Sequence, residues 1–158
     1  MNTNLRTETE QVIFQSGVGG YREYRIPGIL PLKDGALLLA CESRAENKGD
    51  WGDIDIAIWR REKDGALARV LCIGQSHLPP DGSMRTYNNP VLVPDGQNVH
   101  LLYHLNYERA FIRSSEDGGH TWGEAREITA AYREFPFAWN VCATGPGHGI
   151  AMRDGRLV

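Results

Sequence analysis

Apolar stretches interrupted by Asp-Gly pairs recur along this chain at a nearly constant distance. The pairs lie at positions 34–35, 95–96 and 154–155, so that successive pairs are 61 and 59 residues apart. Apolar runs flank each pair, in the segments GILPLKDGALLLA (28–40), VLVPDGQNVHLLY (91–103) and GIAMRDGRLV (149–158). Asp-Gly between two apolar runs predicts a β-hairpin, because glycine tolerates the positive φ that tight hairpin turns require. The sequence therefore predicts three hairpins at equivalent places in a repeating unit.

A second pair of strands is predicted in each of the first two units. Ile54–Trp59 and Arg109–Ile112 have strand-like patterns, and each precedes a polar turn that contains an aspartate, Asp64 or Asp117. No long window keeps the 3.6-residue period of a helix, and Ala130–Phe135 forms at most one turn. Repeated units of about four short strands are typical of a β-propeller, an all-β fold with roughly four to eight blades. The alternative is a β-sandwich in which similar hairpins arose by chance.

The length of the chain limits how much of a propeller it can form. Its 158 residues hold two units and part of a third, and Met152–Val158 break off within the third predicted hairpin. A propeller interrupted there would leave open sheet edges, which promote aggregation. We therefore expect residues 1–158 to be the N-terminal part of a single propeller domain in a longer protein.

The charge, the apolar runs and the cysteines argue against several classes of protein. Lys and Arg number 17 against 20 Asp and Glu, a net charge of −3 that argues against a nucleic-acid partner. The longest apolar run, Ala36–Cys41, is far shorter than the ~20 residues of a membrane-spanning helix. The three cysteines are too few and too scattered for a disulfide framework. The polar N-terminus has no apolar signal-peptide core, which predicts either a cytoplasmic protein or an exported one with a trimmed start.

The segment Ser115–Trp122 fits the pattern S-x-D-x-G-x-T-W. In such a turn Asp117 can accept backbone N–H bonds, Gly119 allows the bend, and Trp122 packs the turn onto the sheet. The segment resembles the Asp-box found on the outer hairpins of sialidase-type propellers, and Lys63–Gly65 resembles a degenerate copy without the tryptophan. The matching residues are Ser115, Asp117, Gly119, Thr121 and Trp122. An Asp-box indicates the fold more than the function.

A second group of residues points to function. Arg25–Pro27 reads Arg-Ile-Pro, Arg44 follows nineteen residues after Arg25, and Asp50 follows six residues later. This order and spacing resemble the N-terminal half of the active site of sialidases (neuraminidases), in which the Asp-box and a Gly-Pro-Gly segment, here Gly145–Gly147, come next. The resemblance covers roughly residues 12–158 and implies a six-bladed propeller, of which this chain forms about the first two to three blades.

The resemblance also implies a reaction: hydrolysis of terminal α-linked sialic acids from sialylated glycans, with retention and with neither cofactor nor metal. Arg25 is then the first of three arginines that hold the substrate carboxylate, for which a permanently charged, bidentate guanidinium is suited. Asp50 is the general acid/base, which protonates the glycosidic oxygen and then activates water. Arg44 lies near the sugar's 4-position, and Trp51 is a candidate wall of the sugar site. The nucleophilic tyrosine, its glutamate and two further arginines are expected beyond Val158, so the chain by itself should be inactive.

One motif departs from the family pattern. Many sialidases carry an Asp-Pro that touches the 4-hydroxyl, and this chain reads Asn88-Asn89-Pro90. Asn89 can still hydrogen-bond a hydroxyl, although without charge, which leaves the sialic-acid preference open.

Other interpretations of the same residues remain. Arg25 could be a strand residue paired with Glu23 or Glu42, and Asp50 could simply start a turn. At the level of the whole protein, the alternatives are a sialidase-like propeller that binds an acidic sugar without cleaving it, a glycosidase of the same fold for another acidic sugar, and an interaction propeller without chemistry. The residues His100, His104, Cys142 and His148 lack metal-ligand spacing and are expected to be structural or solvent-exposed.

Overall fold

The computed structural model describes residues 10–46, 49–74 and 83–158, and its regular structure is almost entirely β. The first sheet contains β1 (Glu23–Pro31), β2 (Leu37–Arg44), β3 (Ile54–Arg61) and β4 (Leu67–Ile73). The second contains β5 (Tyr87–Asp95), β6 (Asn98–Leu105), β7 (Arg109–Ser115), β8 (Arg126–Glu127) and β9 (Gly147–His148), with a one-turn helix α1 (Thr129–Arg133) between β8 and β9. Within these ranges no helix is long and apolar enough to cross a membrane. The polar segment 1–9 lies outside the described residues.

Both sheets are antiparallel meanders, as the repeat predicts. The strand order is β1-β2-β3-β4 in the first sheet and β8-β7-β6-β5 in the second, where the short β9 adds in parallel to β5. The second sheet packs against the first mainly through β5, which contacts β1, β2 and β3. A third hairpin follows β9, closed by a bridge between Ala151 and Leu157. The chain therefore forms two four-stranded blades and the beginning of a third.

The core lies between the two sheets and follows the alternation of strand side chains. On β6, Val99, Leu101 and Tyr103 are buried, whereas His100 and Leu102 between them are partly exposed. Successive strand residues point to opposite faces, so this pattern gives β6 one apolar face. The buried residues of the cluster are Leu30, Leu38, Ala40, Ile56, Ile58, Ile73, Leu92, Val99, Leu101 and Tyr103.

Three Asp-Gly turns have the same geometry. In the turns at Asp34, Asp64 and Asp154, the aspartate Oδ1 accepts the backbone N–H two residues later, at 2.9, 3.0 and 3.1 Å. The glycine that follows each aspartate has a positive φ of 85 to 95°, typical of a three-residue hairpin with a left-handed glycine. The turn at Asp95 differs, because Asp95 pairs with Asn98 across a two-residue loop. Lys63–Gly65 forms the β3–β4 turn of the first blade, which corresponds to the Asp-box turn of the second blade. Its hydrogen bond, however, is that of the other Asp-Gly hairpins.

The first strand of each blade carries the same backbone irregularity. Between Arg25 and Gly28 on β1, and between Asn88 and Val91 on β5, one extra residue interrupts the register. Each bulge contains a residue with positive φ, Ile26 at 57° and Asn89 at 53°, followed by a proline. A β-branched residue such as isoleucine is a rare occupant of this region, at a cost of roughly 1–3 kcal/mol. Conformations of this kind concentrate at functional sites, which draws attention to this end of the blades.

The Asp-box has the geometry that its residue types predict. Asp117 accepts the backbone N–H of Thr121 at 2.9 Å and its hydroxyl at 2.6 Å. Ser115 donates to Asp117 and accepts the N–H of Gly119, and Trp122 packs against the core. The bonds from Thr121 and Ser115 hold the pKa of Asp117 well below its usual range.

The Asp-box also docks onto the first blade. Arg60 on β3 is 3% exposed, and its guanidinium donates to the Gly118 carbonyl at 3.0 Å and to Asp34 Oδ2 at 2.6 Å. Next to this contact, a Cβ on Gly119 would lie 2.7 Å from a methyl carbon of Leu38. Gly119 is therefore required by the close approach of the two blades as well as by its φ of 89°.

We predict that Asp117→Asn lowers the free energy of unfolding at pH 7 by about 1–2 kcal/mol, because it weakens charge-assisted bonds to Thr121. The sign of the pH dependence follows from the lowered pKa: Asp117 stabilises the fold above its unfolded-state pKa of about 4 and loses this effect as pH falls through the folded-state value. The deficit of the variant should therefore shrink in acid. Denaturant titrations between neutral and acidic pH measure it.

Asp64→Asn is the matched control, because Asp64 occupies the equivalent turn with a single backbone hydrogen bond. We expect it to change the free energy of unfolding by less than about 0.5 kcal/mol. An equal, pH-independent loss in both variants would contradict a special role of the Asp-box carboxylate.

Candidate functional site

The candidate site lies at the edge of the blades where β1 and β5 begin and β2 and β6 end. Both bulges are at this edge, and so is the loop that joins β2 to β3. The structure brings Arg25, Arg44 and Asp50 into mutual contact there. The five residues of the Asp-box lie elsewhere, at a strand turn in contact with Arg60.

Arg44, at the end of β2, is buried and fully used. Its side chain is 1% exposed, and its Nε and Nη2 atoms donate to Glu42 Oε2 at 3.2 and 2.6 Å. Nη1 donates to the carbonyl of Gly49, and Nη2 also reaches Asp50 Oδ1 at 3.0 Å. Burial works against the charge of Arg44, but the bonds and charges of Glu42 and Asp50 outweigh it and raise its pKa. Arg44 therefore acts as a rigid, permanently charged support for the loop that carries Asp50.

Asp50 receives two guanidinium groups on one oxygen. Besides Arg44, Arg25 donates from Nη1 to Asp50 Oδ1 at 3.3 Å. In contrast to the buried Arg44, the Arg25 and Asp50 side chains are 44% and 61% exposed. The exposed part of the site is thus the ion pair of Arg25 and Asp50, and the buried guanidinium of Arg44 binds the same carboxylate.

The loop that carries Asp50 is attached to the second blade at three points. The Tyr107 hydroxyl donates to the Asp50 carbonyl at 3.1 Å, and the Tyr107 ring lies 4.8 Å from that of Trp51. Gly52 exchanges hydrogen bonds with the buried Thr86 hydroxyl, at 3.1 and 2.8 Å. Burial, with smaller contributions from Glu42 and Asp50, raises the pKa of Tyr107, so its hydroxyl keeps the proton that it donates. Trp51 remains 54% exposed next to Asp50.

Asn89 faces the same group from the second blade. Its backbone N–H, reoriented by the bulge, donates to Glu42 Oε1 at 3.0 Å. Its side chain is almost buried, and the amide Nδ2 has no hydrogen-bond partner among the described residues. Glu42 thus connects Arg44 of the first blade with the backbone of Asn89 in the second.

Two further polar side chains are buried behind Asn89. Asn88 and His104 are partners across β5 and β6, and both are fully buried. Neither side chain has a hydrogen-bond partner among the described residues. Burial lowers the pKa of His104 to about 4, so its imidazole is neutral at pH 7. The described residues contain no group of three or more His, Cys, Asp or Glu side chains that could hold a metal ion.

Sequence reasoning missed two residues of this site. Glu42 entered the analysis only as an alternative partner of Arg25, whereas its carboxylate binds Arg44 and Arg25 pairs with Asp50. Glu42 lies two residues before Arg44, so both side chains project from the same face of β2, and that spacing is a usable signal. No sequence pattern points to Tyr107, because its hydroxyl contacts the Asp50 carbonyl only when one blade packs on the other.

Comparisons with known proteins were made over the whole chain. An exo-alpha-sialidase of Arthroderma benhamiae is 26% identical over 181 aligned positions, which include 90% of this chain and 41% of the relative. Human sialidase-4 is 28% identical over 97% of this chain and 35% of its own length. The chain therefore spans less than half the length of these curated relatives. No protein-family model matches the chain.

Solved structures agree with the sequence matches. The Hadza microbial sialidase Hz136 superposes with a TM-score of 0.68 and 22% identity, over 87% of this chain and 32% of that structure. Trypanosoma rangeli sialidase, solved in complex with sialic acid, superposes with a TM-score of 0.61 and 16% identity, over 85% of this chain and 25% of its own.

The chain resembles the sialidases. The predicted all-β propeller is likewise confirmed, with this chain forming part of it. In this sialidase-like fold, the group of Arg25, Arg44 and Asp50 lies at one end of two adjacent blades. The roles of the individual residues remain a prediction.

We predict stability losses of very different size for the two arginines. Arg44→Met leaves Glu42 buried without its cation and should lower the free energy of unfolding by about 3–5 kcal/mol. Arg25→Met breaks only a solvent-exposed pair and should cost less than about 1 kcal/mol. Denaturant unfolding of both variants tests this difference, and similar losses in the two would show that Arg44 is not the buried support described here.

Proposed function

We propose that this chain is the N-terminal part of a sialidase propeller, and that the complete protein is an exo-α-sialidase that releases terminal α-linked sialic acids from glycans. The observation that carries the proposal is the convergence of Arg25, Arg44 and Asp50 at one edge of the blades, with Asn89 beside them. The named relatives, which include exo-alpha-sialidases, support the same assignment.

Arg25 is the candidate anchor for the substrate carboxylate. Its guanidinium is 44% exposed, and its described partner is the exposed carboxylate of Asp50 at 3.3 Å. A long, exposed ion pair of this kind contributes little to stability, so a second carboxylate can compete for the guanidinium. A sialic acid carboxylate placed against Arg25 would occupy donors that now face Asp50.

Asp50 is the candidate general acid. It must carry a proton to protonate the glycosidic oxygen as the bond to the anomeric carbon breaks, and it then takes a proton from the attacking water. The Asp50 carboxylate is 61% exposed and lies 3.3 Å from Arg25. A sugar held by its carboxylate on Arg25 would therefore have its glycosidic bond close to Asp50.

Asn89 and Trp51 complete the proposed sugar site. Asn89 provides a neutral amide where many sialidases carry an aspartate, so it can donate to or accept from a hydroxyl. The exposed Trp51 ring, supported from one side by Tyr107, gives an apolar surface on which a sugar can pack. The nucleophilic tyrosine, its glutamate and two further arginines belong, in this proposal, to later blades.

The test is sialic acid release from a fluorogenic α-sialoside by the protein with the complete propeller. We expect Asp50→Asn to lower kcat/KM by about 100-fold or more, because it removes the proton donor. Asp53→Asn, a change of the same kind in the same loop, is the control and should retain most of the activity.

Each contrary outcome has a distinct meaning. A folded protein that binds sialosides without cleaving them would overturn the enzyme and leave a sialidase-like binding propeller. Cleavage of another acidic glycoside in preference to sialosides would move the assignment to a different sugar. Equal activity of Asp50→Asn and Asp53→Asn would remove Asp50 from the role of general acid.

A further inference from the structure

Glu42 is a buried carboxylate in the candidate site. It is 1% exposed, and both of its oxygens are used: Oε2 accepts two bonds from Arg44, and Oε1 accepts the backbone N–H of Asn89. A buried carboxylate that lost either partner would be strongly unfavourable, so its geometry is tightly constrained.

We propose that Glu42 is the positioning residue of this site: it fixes Arg44 and the Asn89 backbone, and through Arg44 it holds Asp50 in place. This inference rests on the proposed function. Glu42 acts through its neighbours, since its buried side chain has no free surface from which to contact a sugar.

Glu42 fixes the positions of Arg44 and of the Asn89 backbone. Arg44 reaches Asp50 with Nη2, the same atom that Glu42 binds at 2.6 Å. The other oxygen of Glu42 holds the Asn89 backbone at the left-handed residue of the β5 bulge. One carboxylate therefore fixes two walls of the site that belong to different blades, and a displacement of about 1 Å at such a site can reduce turnover by 100-fold.

Glu42 also balances the charge of Arg44. The two side chains form a buried ion pair at 2.6 Å, and the same Nη2 atom of Arg44 lies 3.0 Å from Asp50 Oδ1. Without the negative charge of Glu42, Arg44 would be a buried cation with Asp50 as its remaining described carboxylate partner, which would draw Asp50 toward Arg44.

The experiment compares Glu42→Gln and Glu42→Asp with Glu62→Gln in the protein that carries the complete propeller. Glu62 is the matched control, because its carboxylate also binds a buried arginine of the first blade, Arg60, at 2.8 Å. Two readouts are needed: the separate values of kcat and KM for α-sialoside hydrolysis, and hydrogen exchange at the Asn89 amide.

We expect Glu42→Gln to lower kcat by about 100-fold with a much smaller change in KM, because Asp50 is displaced while Arg25 still holds the substrate carboxylate. Glu42→Asp keeps the charge but is too short to reach both partners, so it should lower kcat less and still speed exchange at the Asn89 amide. Glu62→Gln should change neither readout. A purely structural role would reduce the amount of folded protein and leave kcat per folded molecule unchanged.

A folded Glu42→Gln protein with an unchanged kcat and a protected Asn89 amide would overturn the proposal. Absence of hydrolysis in the unsubstituted protein would instead refute the proposed function, and the exchange measurement would then decide the positioning role by itself. If Glu42→Gln does not fold, exchange in Glu42→Asp decides, and unchanged protection of the Asn89 amide there would be the refuting result.

Discussion

The buried pair of Glu42 and Arg44 is the interaction on which the rest of the site depends. Each side chain is 1% exposed, so neither charge is hydrated, and the desolvation of two such ions costs several kcal/mol each. That cost is offset only when every donor and acceptor is satisfied. The Gly49 carbonyl, the Asp50 carboxylate and the Asn89 amide supply the remaining partners. The pair therefore determines where the loop and the second blade must lie.

The same principle operates at the opposite edge of the first blade. Arg60 is also buried, and it satisfies its guanidinium with Asp34, Glu62 and the Gly118 carbonyl of the Asp-box. The first blade is thus joined to the second at both ends of the strands, by Arg60 through Gly118 and by the Arg44–Glu42 pair through Asn89. Hydrophobic packing between the sheets is non-directional, whereas these bonds specify how one blade is placed against the other. A site that spans two blades needs that directional constraint.

Local chemistry allowed much of the fold to be predicted from the sequence. The Asp-Gly hairpins and the Asp-box depend on residues within a few positions of each other, and each formed where its pattern predicted. The juxtaposition of Arg25, Arg44 and Asp50 was expected from a family resemblance. What the sequence did not reveal was non-local: Tyr107 reaches Asp50 across 57 positions, and Glu42 reaches Asn89 across 47. No periodicity or spacing within one segment encodes contacts between blades.

The two bulges show how one backbone feature serves two purposes. Both lie near the start of the first strand of a blade, both contain a left-handed residue followed by proline, and both interrupt the register by one position. In the first blade the bulge follows Arg25, whose side chain reaches Asp50; in the second it directs the Asn89 amide toward Glu42. Asparagine adopts the left-handed region at little cost, but isoleucine does not. Ile26 is therefore held in place by its surroundings, and the repeat unit provides the backbone while the side chains of each copy supply the chemistry.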